Sequence, residues 1–270
     1  MTDTIVSAEP EDHSAKIIVE KPTAHVALIR FDRPDKKNAF HSSMIIELGR
    51  ILAEFNTDDS VRCVVLTGGE TCFAAGADIK EMIAFGPANV ANSPARVSAW
   101  RAIEQFEKPL IAAVNGMAFG AGCELALVCD IIVAGSNALF GQPEVKIGGM
   151  PGDGGSQRLP RKLPPNVASY LLMTGEPIDA NRAMQFGLVL EIHEPSETIA
   201  RAVAIATSIS ERAPAAIRAI KACIATAVGA TAENGLTFER DAITALTETE
   251  DSKEGMRAFA EKRAPNFVGR

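Results

Sequence analysis

The chain has 270 residues, 47% of them hydrophobic and 23% charged, which is long enough for one large apolar core and excludes intrinsic disorder or a fibrous repeat. Lys plus Arg number 27 and Asp plus Glu 34, and the resulting net charge of −7 argues against a nucleic-acid footprint while leaving room for a local basic patch facing one phosphorylated ligand. The cysteines Cys63, Cys72, Cys123, Cys129 and Cys223 are odd in number, contain no CxxC, and mostly sit among apolar or small residues, so they read as reduced thiols of a cytoplasmic protein.

In chain order, residues 1–16 are polar and aperiodic and are expected to form a flexible tail; acids and a proline stand where a signal peptide would carry basic residues before an apolar block. From there, Val26 to Phe31 and Arg62 to Thr67 read as β-branched strands, and Met44, Leu48, Ile51, Leu52 and Phe55 recur between them at helical spacing. Pro109 to Val114, Ile131 to Ala134 and Leu188 to Ile192 continue the strands, with a short buried helix over Glu124 to Cys129. Asp130 breaks the longest apolar stretch there, far short of the ~18 residues a membrane span needs. After Glu194 the pattern turns helical, over Glu197 to Ile209, Pro214 to Val228, Asn234 to Leu246 and Asp251 to Lys262. The expected organisation is an α/β core of repeated small strand-helix units over 17–194 and a helical C-terminal subdomain over 195–270.

Glycine-rich stretches at Gly68-Gly69, Gly116 to Gly122 and Gly148 to Gly155 fit neither a dinucleotide fingerprint nor a P-loop. The second runs from a strand straight into a helix, so its amides near Ala121 form a helix N-terminus, where donors lack partners and negative charge is favoured. A second amide-rich turn, Phe73 to Asp78, opens another short helix. Two such turns at neighbouring strand ends could converge on one acyl oxygen. Glycines equally serve tight turns and close packing, and the residues alone leave both readings open.

Glu124, in GAGCELALVCD, and Glu144, in LFGQPEVKIGG, lie among residues that belong inside. Either alone reads as a salt-bridged structural acid. Two carboxyls sharing a dry pocket repel one another and lose hydration, which raises a pKa toward neutrality and equips the site for proton transfer. The histidines His13, His25, His41 and His193 show no ligand spacing, so no metal site is expected, and Ser42, Ser43 and Ser156 lack the context of an exposed nucleophile.

Arg33-Pro34 with Asn38-Ala39, the stretches from Leu66 to Met82, Pro109 to Ala134 and Phe140 to Arg161, and Glu254 to Phe267 together resemble the crotonase superfamily, most closely its enoyl-CoA hydratases. The resemblance runs in order from about Lys16 to the C-terminus. It implies a spiral of ββα units, a helical C-terminal trimerisation region, and a homotrimer or a homohexamer made of two trimers. It also implies hydration of a 2-enoyl-CoA thioester with no cofactor beyond the CoA of the substrate, no membrane and no nucleic acid. On this resemblance the amides of Ala77 and Ala121 form the oxyanion hole, and Glu124 and Glu144 are the catalytic carboxylates. Lys36, Lys37, Ala39, Ala75, Asp78, Ile79, Lys80, Gly120, Gly148 and Gly152 would contact substrate. Phe259 and Lys262 would reach it from the C-terminal region, and Met82, Phe85 and Trp100 are candidates for the acyl tunnel. Asp153 and Gly149 depart from the usual pattern, placing an extra acid and a smaller residue beside the site. A 3,2-enoyl-CoA isomerase would use the same oxyanion hole with one carboxylate. An RNA-binding member of the fold would need a Lys-rich helix, whereas Ser42 to Asn56 offers Arg50 against Glu47 and Glu54.

Overall fold

The run Val26–Phe31 is apolar except at Arg30 and is almost wholly buried, as befits a strand covered on both faces. In the computed structural model, which describes residues 17–270, it is β2 of a mixed sheet; the expected tail over 1–16 lies outside the described residues. β1 (Ile17–Thr23) pairs antiparallel with β2 (Val26–Phe31). β3 (Cys63–Thr67), β4 (Leu110–Val114), β6 (Ile131–Gly135) and β9 (Glu191–His193) then add in parallel, giving the order β1-β2-β3-β4-β6-β9. A smaller sheet joins β5 (Met117–Phe119), β7 (Leu139–Gly141) and β8 (Ile178–Asp179).

The repeating unit is a strand of the large sheet, a short crossing segment and a helix. β4, β5 and α5 (Ala121–Val128) form one turn; β6 and β7 lead through a 3-10 turn, Pro143–Ile147, to α6 (Gly155–Lys162). In the two earlier turns the crossing segment shrinks to single bridges: Phe40 to Ala77, and Ala74 to Ala118, all running parallel. These turns carry α1 (Ser42–Thr57) and α2 (Ile79–Phe85), the latter followed by α3 (Pro87–Ala91) and α4 (Pro94–Glu104). The expected ββα spiral is therefore present.

Period-two alternation divides the interior. Ala27, Ile29, Val64, Leu66, Ala112 and Val114 face a large core shared with α1, α4 and α5. Val26, Leu28, Cys63, Val65, Ile111 and Ala113 face a second core closed by Ala202 and Ala206 of α9 (Pro195–Ser210). The first helix of the 195–270 segment thus completes the sheet's far side. Beyond it, α10 (Pro214–Ala227) and α11 (Ala232–Thr247) bury no residue fully, and α12 (Glu250–Glu261) buries only Asp251 and Ala258.

Two boundaries differ from the sequence pattern. After α7 (Pro165–Thr174) and α8 (Ala180–Gln185), the amides of Leu188 and Val189 both return to the Ala183 carbonyl, so this apolar pair closes a helix end and the strand begins only at Glu191. The helix expected from Glu124 starts a turn earlier, at Ala121, because Gly120 at φ +51° lets the chain turn sharply out of β5. Trp100, a candidate for the acyl tunnel, is buried in the core on α4, on the same stripe as Ala99 and Ile103.

Candidate active site

Two turns of the spiral bring main-chain donors to one cavity of about 580 Å³. In the first, the Phe40 N–H donates to the Gly76 carbonyl at 2.7 Å and the Asp78 N–H to the Phe40 carbonyl at 2.9 Å. A parallel bridge of this pattern directs the groups of the intervening residue to the opposite side. The Ala77 N–H accordingly has no protein acceptor among the described residues, and Ala77 lines the cavity. In the second turn, Gly120 donates to the Gly141 carbonyl at 3.0 Å and Glu124 donates back to Gly120 at 2.8 Å, opening α5. Ala121, the first residue of that helix, also lines the cavity and its N–H has no intrahelical acceptor.

Glu124 is one turn further along α5 and only 1% exposed. Its Oε1 accepts the N–H groups of Asp153 at 2.8 Å and Gly155 at 2.7 Å, while Oε2 takes no protein hydrogen bond among the described residues. Burial, and then the Asp153 charge, push its pKa up to about 7 against the opposing effect of the two amides. Glu144 projects from the 3-10 turn, and burial raises its pKa as well. The buried Gln142 faces its carboxylate, and with the amide turned NH2-first, the orientation that satisfies both ends of the side chain, it donates to Oε1 at 3.0 Å and Oε2 at 3.2 Å. A β-carbon on Gly120 would lie 2.8 Å from Glu144 Oε1, so this glycine serves the acid as well as the turn.

Of the other sequence candidates, Ala75, Ile79, Gly120, Gly152 and Met82 line the cavity. The Ala75 N–H donates to the Lys37 carbonyl at 3.0 Å, which pins the basic turn carrying Lys36 and Lys37 beside the cavity wall, although neither lysine lines it. Lys80 lies in the first turn of α2. Asp78 is occupied by structure: its Oδ1 caps α2 and its Oδ2 accepts Arg33 at 2.6 Å, while that guanidinium also bonds the Ala39 carbonyl. Gly148 and Phe85 do not line the cavity; nor do Phe259, 88% exposed, and Lys262, which follows the last residue of α12. Arg96, Gln142 and Lys146 were not singled out in the sequence; the clue to Arg96 was a cation at the helical spacing of Ala99, Trp100 and Ile103. Among the described residues no cluster could hold a metal ion and no helix is long and apolar enough to cross a membrane.

Two amides without protein acceptors and two carboxyls of raised pKa around an apolar cleft make a site that can polarise a carbonyl and move protons beside it. The family model described as enoyl-CoA hydratase/isomerase matches residues 21–270. The 2,3-dehydroadipyl-CoA hydratase of Escherichia coli is 42% identical over 91% of this chain and 96% of its own length. The short-chain-enoyl-CoA hydratase of Clostridium acetobutylicum is 41% identical over 92% and 95%. Among solved structures, an enoyl-CoA hydratase from Bacillus anthracis superposes with a TM-score of 0.90 at 35% identity, covering 94% of this chain and 100% of that one. The chain belongs to the enoyl-CoA hydratase/isomerase family and has the crotonase fold.

Proposed function

We propose that this enzyme adds water reversibly across the 2,3 double bond of a 2-enoyl-CoA thioester, giving the 3-hydroxyacyl-CoA. The observation that carries the reading is the convergence of the Ala77 and Ala121 amides with Glu124 and Glu144 on one cavity. The amides receive the thioester oxygen, and each such donor is worth roughly 3 kcal/mol as negative charge develops there. Glu124, with Oε2 unoccupied, takes a proton from water attacking the β carbon, and Glu144 delivers a proton to the α carbon. As a coupled pair, the two carboxyls share the titration. The chemistry needs no resident cofactor. Met82, Val90 and Ile147 give the acyl chain an apolar wall, which suits the aliphatic substrates for which relatives are named.

The basic turn at Lys36 and Lys37 and the start of α2 at Lys80 are assigned to the CoA phosphates. Exposed apolar side chains on α10 and α11, among them Ile220, Ile224, Leu236 and Ile243, suit association into a homotrimer or a pair of trimers. In that assembly Phe259 and Lys262 would serve a neighbouring subunit's cavity. The reduced thiols accord with a cytoplasmic enzyme. The test follows the absorbance of a conjugated enoyl thioester with purified protein. Its loss is expected, and Glu124→Gln and Glu144→Gln should each lower kcat about a thousandfold with little change in thioester binding. Near-normal hydration by either variant overturns the assignment.

A further inference from the structure

Asp153 brings an anion to the immediate neighbourhood of Glu124, and it is not left unbalanced. Arg96, from α4, meets it with both terminal nitrogens: NH1 donates to Oδ1 at 2.8 Å and NH2 to Oδ2. The pair is largely shielded, with the two side chains 9% and 10% exposed, and the guanidinium lies 5.9 Å from the Trp100 ring centroid. The main chain of Asp153 is tied as well. Its N–H holds Glu124 Oε1, and its carbonyl accepts Arg158 of α6 at 2.6 Å, while the other arm of Arg158 bonds Glu104 of α4. A bidentate Arg–carboxylate pair is geometrically stiff. The loop that cradles Glu124 is therefore braced on α4 from two directions.

We propose that Arg96 and Asp153 are a positioning pair for Glu124: they fix the amides that orient its carboxylate, and the balance of their opposite charges sets the pH at which it ionises. The inference rests on the reading of Glu124 as the group that takes the proton from water. The charged groups that share the cavity with Glu124 are Asp153 of the loop, Arg96 of α4, and Glu144 and Lys146 of the 3-10 turn, Lys146 being paired with Glu176; Arg158 of α6, paired with Glu104, reaches the loop at the Asp153 carbonyl. Arg158 and Glu104 neutralise one another, leaving the Arg96–Asp153 pair as the adjustable element. Removing either partner unmasks the field of the other, with opposite signs. Asp153→Asn leaves a cation that favours the ionised Glu124, and Arg96→Met leaves an anion that opposes it.

The experiment is the pH dependence of kcat for hydration of a short 2-enoyl-CoA by the wild type, Asp153→Asn, Arg96→Met and the double variant. The acidic limb is expected to move down by about one pH unit in Asp153→Asn, up by about one unit in Arg96→Met, and back to near the wild-type position in the double. A purely structural role would lower kcat or yield without this reciprocal pattern. An acidic limb that stays in place in both singles, or moves the same way in both, overturns the inference. Should Arg96→Met fail to fold, the downward shift of Asp153→Asn and its reversal in the double variant, which buries no unpaired charge, decide it. Glu124→Gln run alongside separates the two readings. If it hydrates normally, the role of Glu124 falls; if it is inactive while the limb does not move, only the positioning pair falls.

Discussion

Lys108 and Glu124 are both ionisable, both nearly inaccessible, at 3% and 1% exposed, and both held by main-chain groups. Their coordination is different. The Lys108 ammonium has three hydrogens and places them on three carbonyls around the end of α1, those of Phe55, Asp58 and Val61. Its donor capacity is complete, and burial lowers its pKa without giving the group anything to do. Glu124 receives both of its amide donors on one oxygen and keeps the other for the cavity. A buried ionisable group with every valence matched is a strut, whereas one half matched beside a cleft is open to a proton or a substrate.

The most severe test of this contrast is Glu124→Gln, where a thousandfold fall in kcat should accompany an intact fold, seen by circular dichroism. Lys108→Met should do the reverse. It strands three carbonyls and is expected to cost about 4 kcal/mol in urea unfolding, with kcat per folded molecule unchanged, because Lys108 does not line the cavity. A lesion of activity at Lys108, or of stability at Glu124, would erase the distinction.

The contrast also has a pH signature. With a folded pKa of about 7 against an ordinary carboxyl value of 4.5, the folded chain holds its Glu124 proton where the unfolded chain has lost it. Stability from this group therefore declines as pH rises from 4.5 to 7, and above 7 the full penalty, up to about 3 kcal/mol, applies. Glu124→Gln should be more stable than the wild type at pH 8, with the gap closing toward pH 5, as read from urea midpoints at each pH.

Smaller effects sharpen the picture at the amides. Ala121→Pro removes one donor at the first helical position, where proline is tolerated, and is expected to lower kcat/KM about a hundredfold without unfolding the protein. Ala121→Gly keeps the donor and should change kcat/KM by under about threefold. Comparable turnover by Ala121→Pro and Ala121→Gly would show that this N–H does not meet substrate.

What could be read beforehand follows the range of the forces involved. Strands β2, β3, β4 and β6 were legible because burial on both faces writes continuous apolar runs. Glu124 and Glu144 stood out because an acid among apolar neighbours is locally anomalous. Arg96 did not, since its meaning depends on Asp153, 57 positions away, and a cation on a helix ordinarily reads as solvated. Gln142 was silent for the same reason: its amide matters only once the 3-10 turn has folded Glu144 back onto it. Leu188 and Val189 read as strand because two apolar residues cannot reveal whether they pair sideways or cap a helix, which depends on Gly187 adopting φ +81°.

The amides of residues 77 and 121 belong to the peptide backbone, so the genetic code specifies them only indirectly. Almost any codon but proline at either position would still encode a donor; what must be preserved is the path of the chain, through the Phe40–Ala77 bridge and the turn at Gly120. Both positions need a small side chain, because Ala121 is buried and both line the cavity, but the identity of that side chain does not enter the donor itself. Conversely, a single inserted codon between Arg33 and Phe40 would displace the Ala77 amide by a register step while leaving Ala77, Ala121, Glu124 and Glu144 spelled out intact.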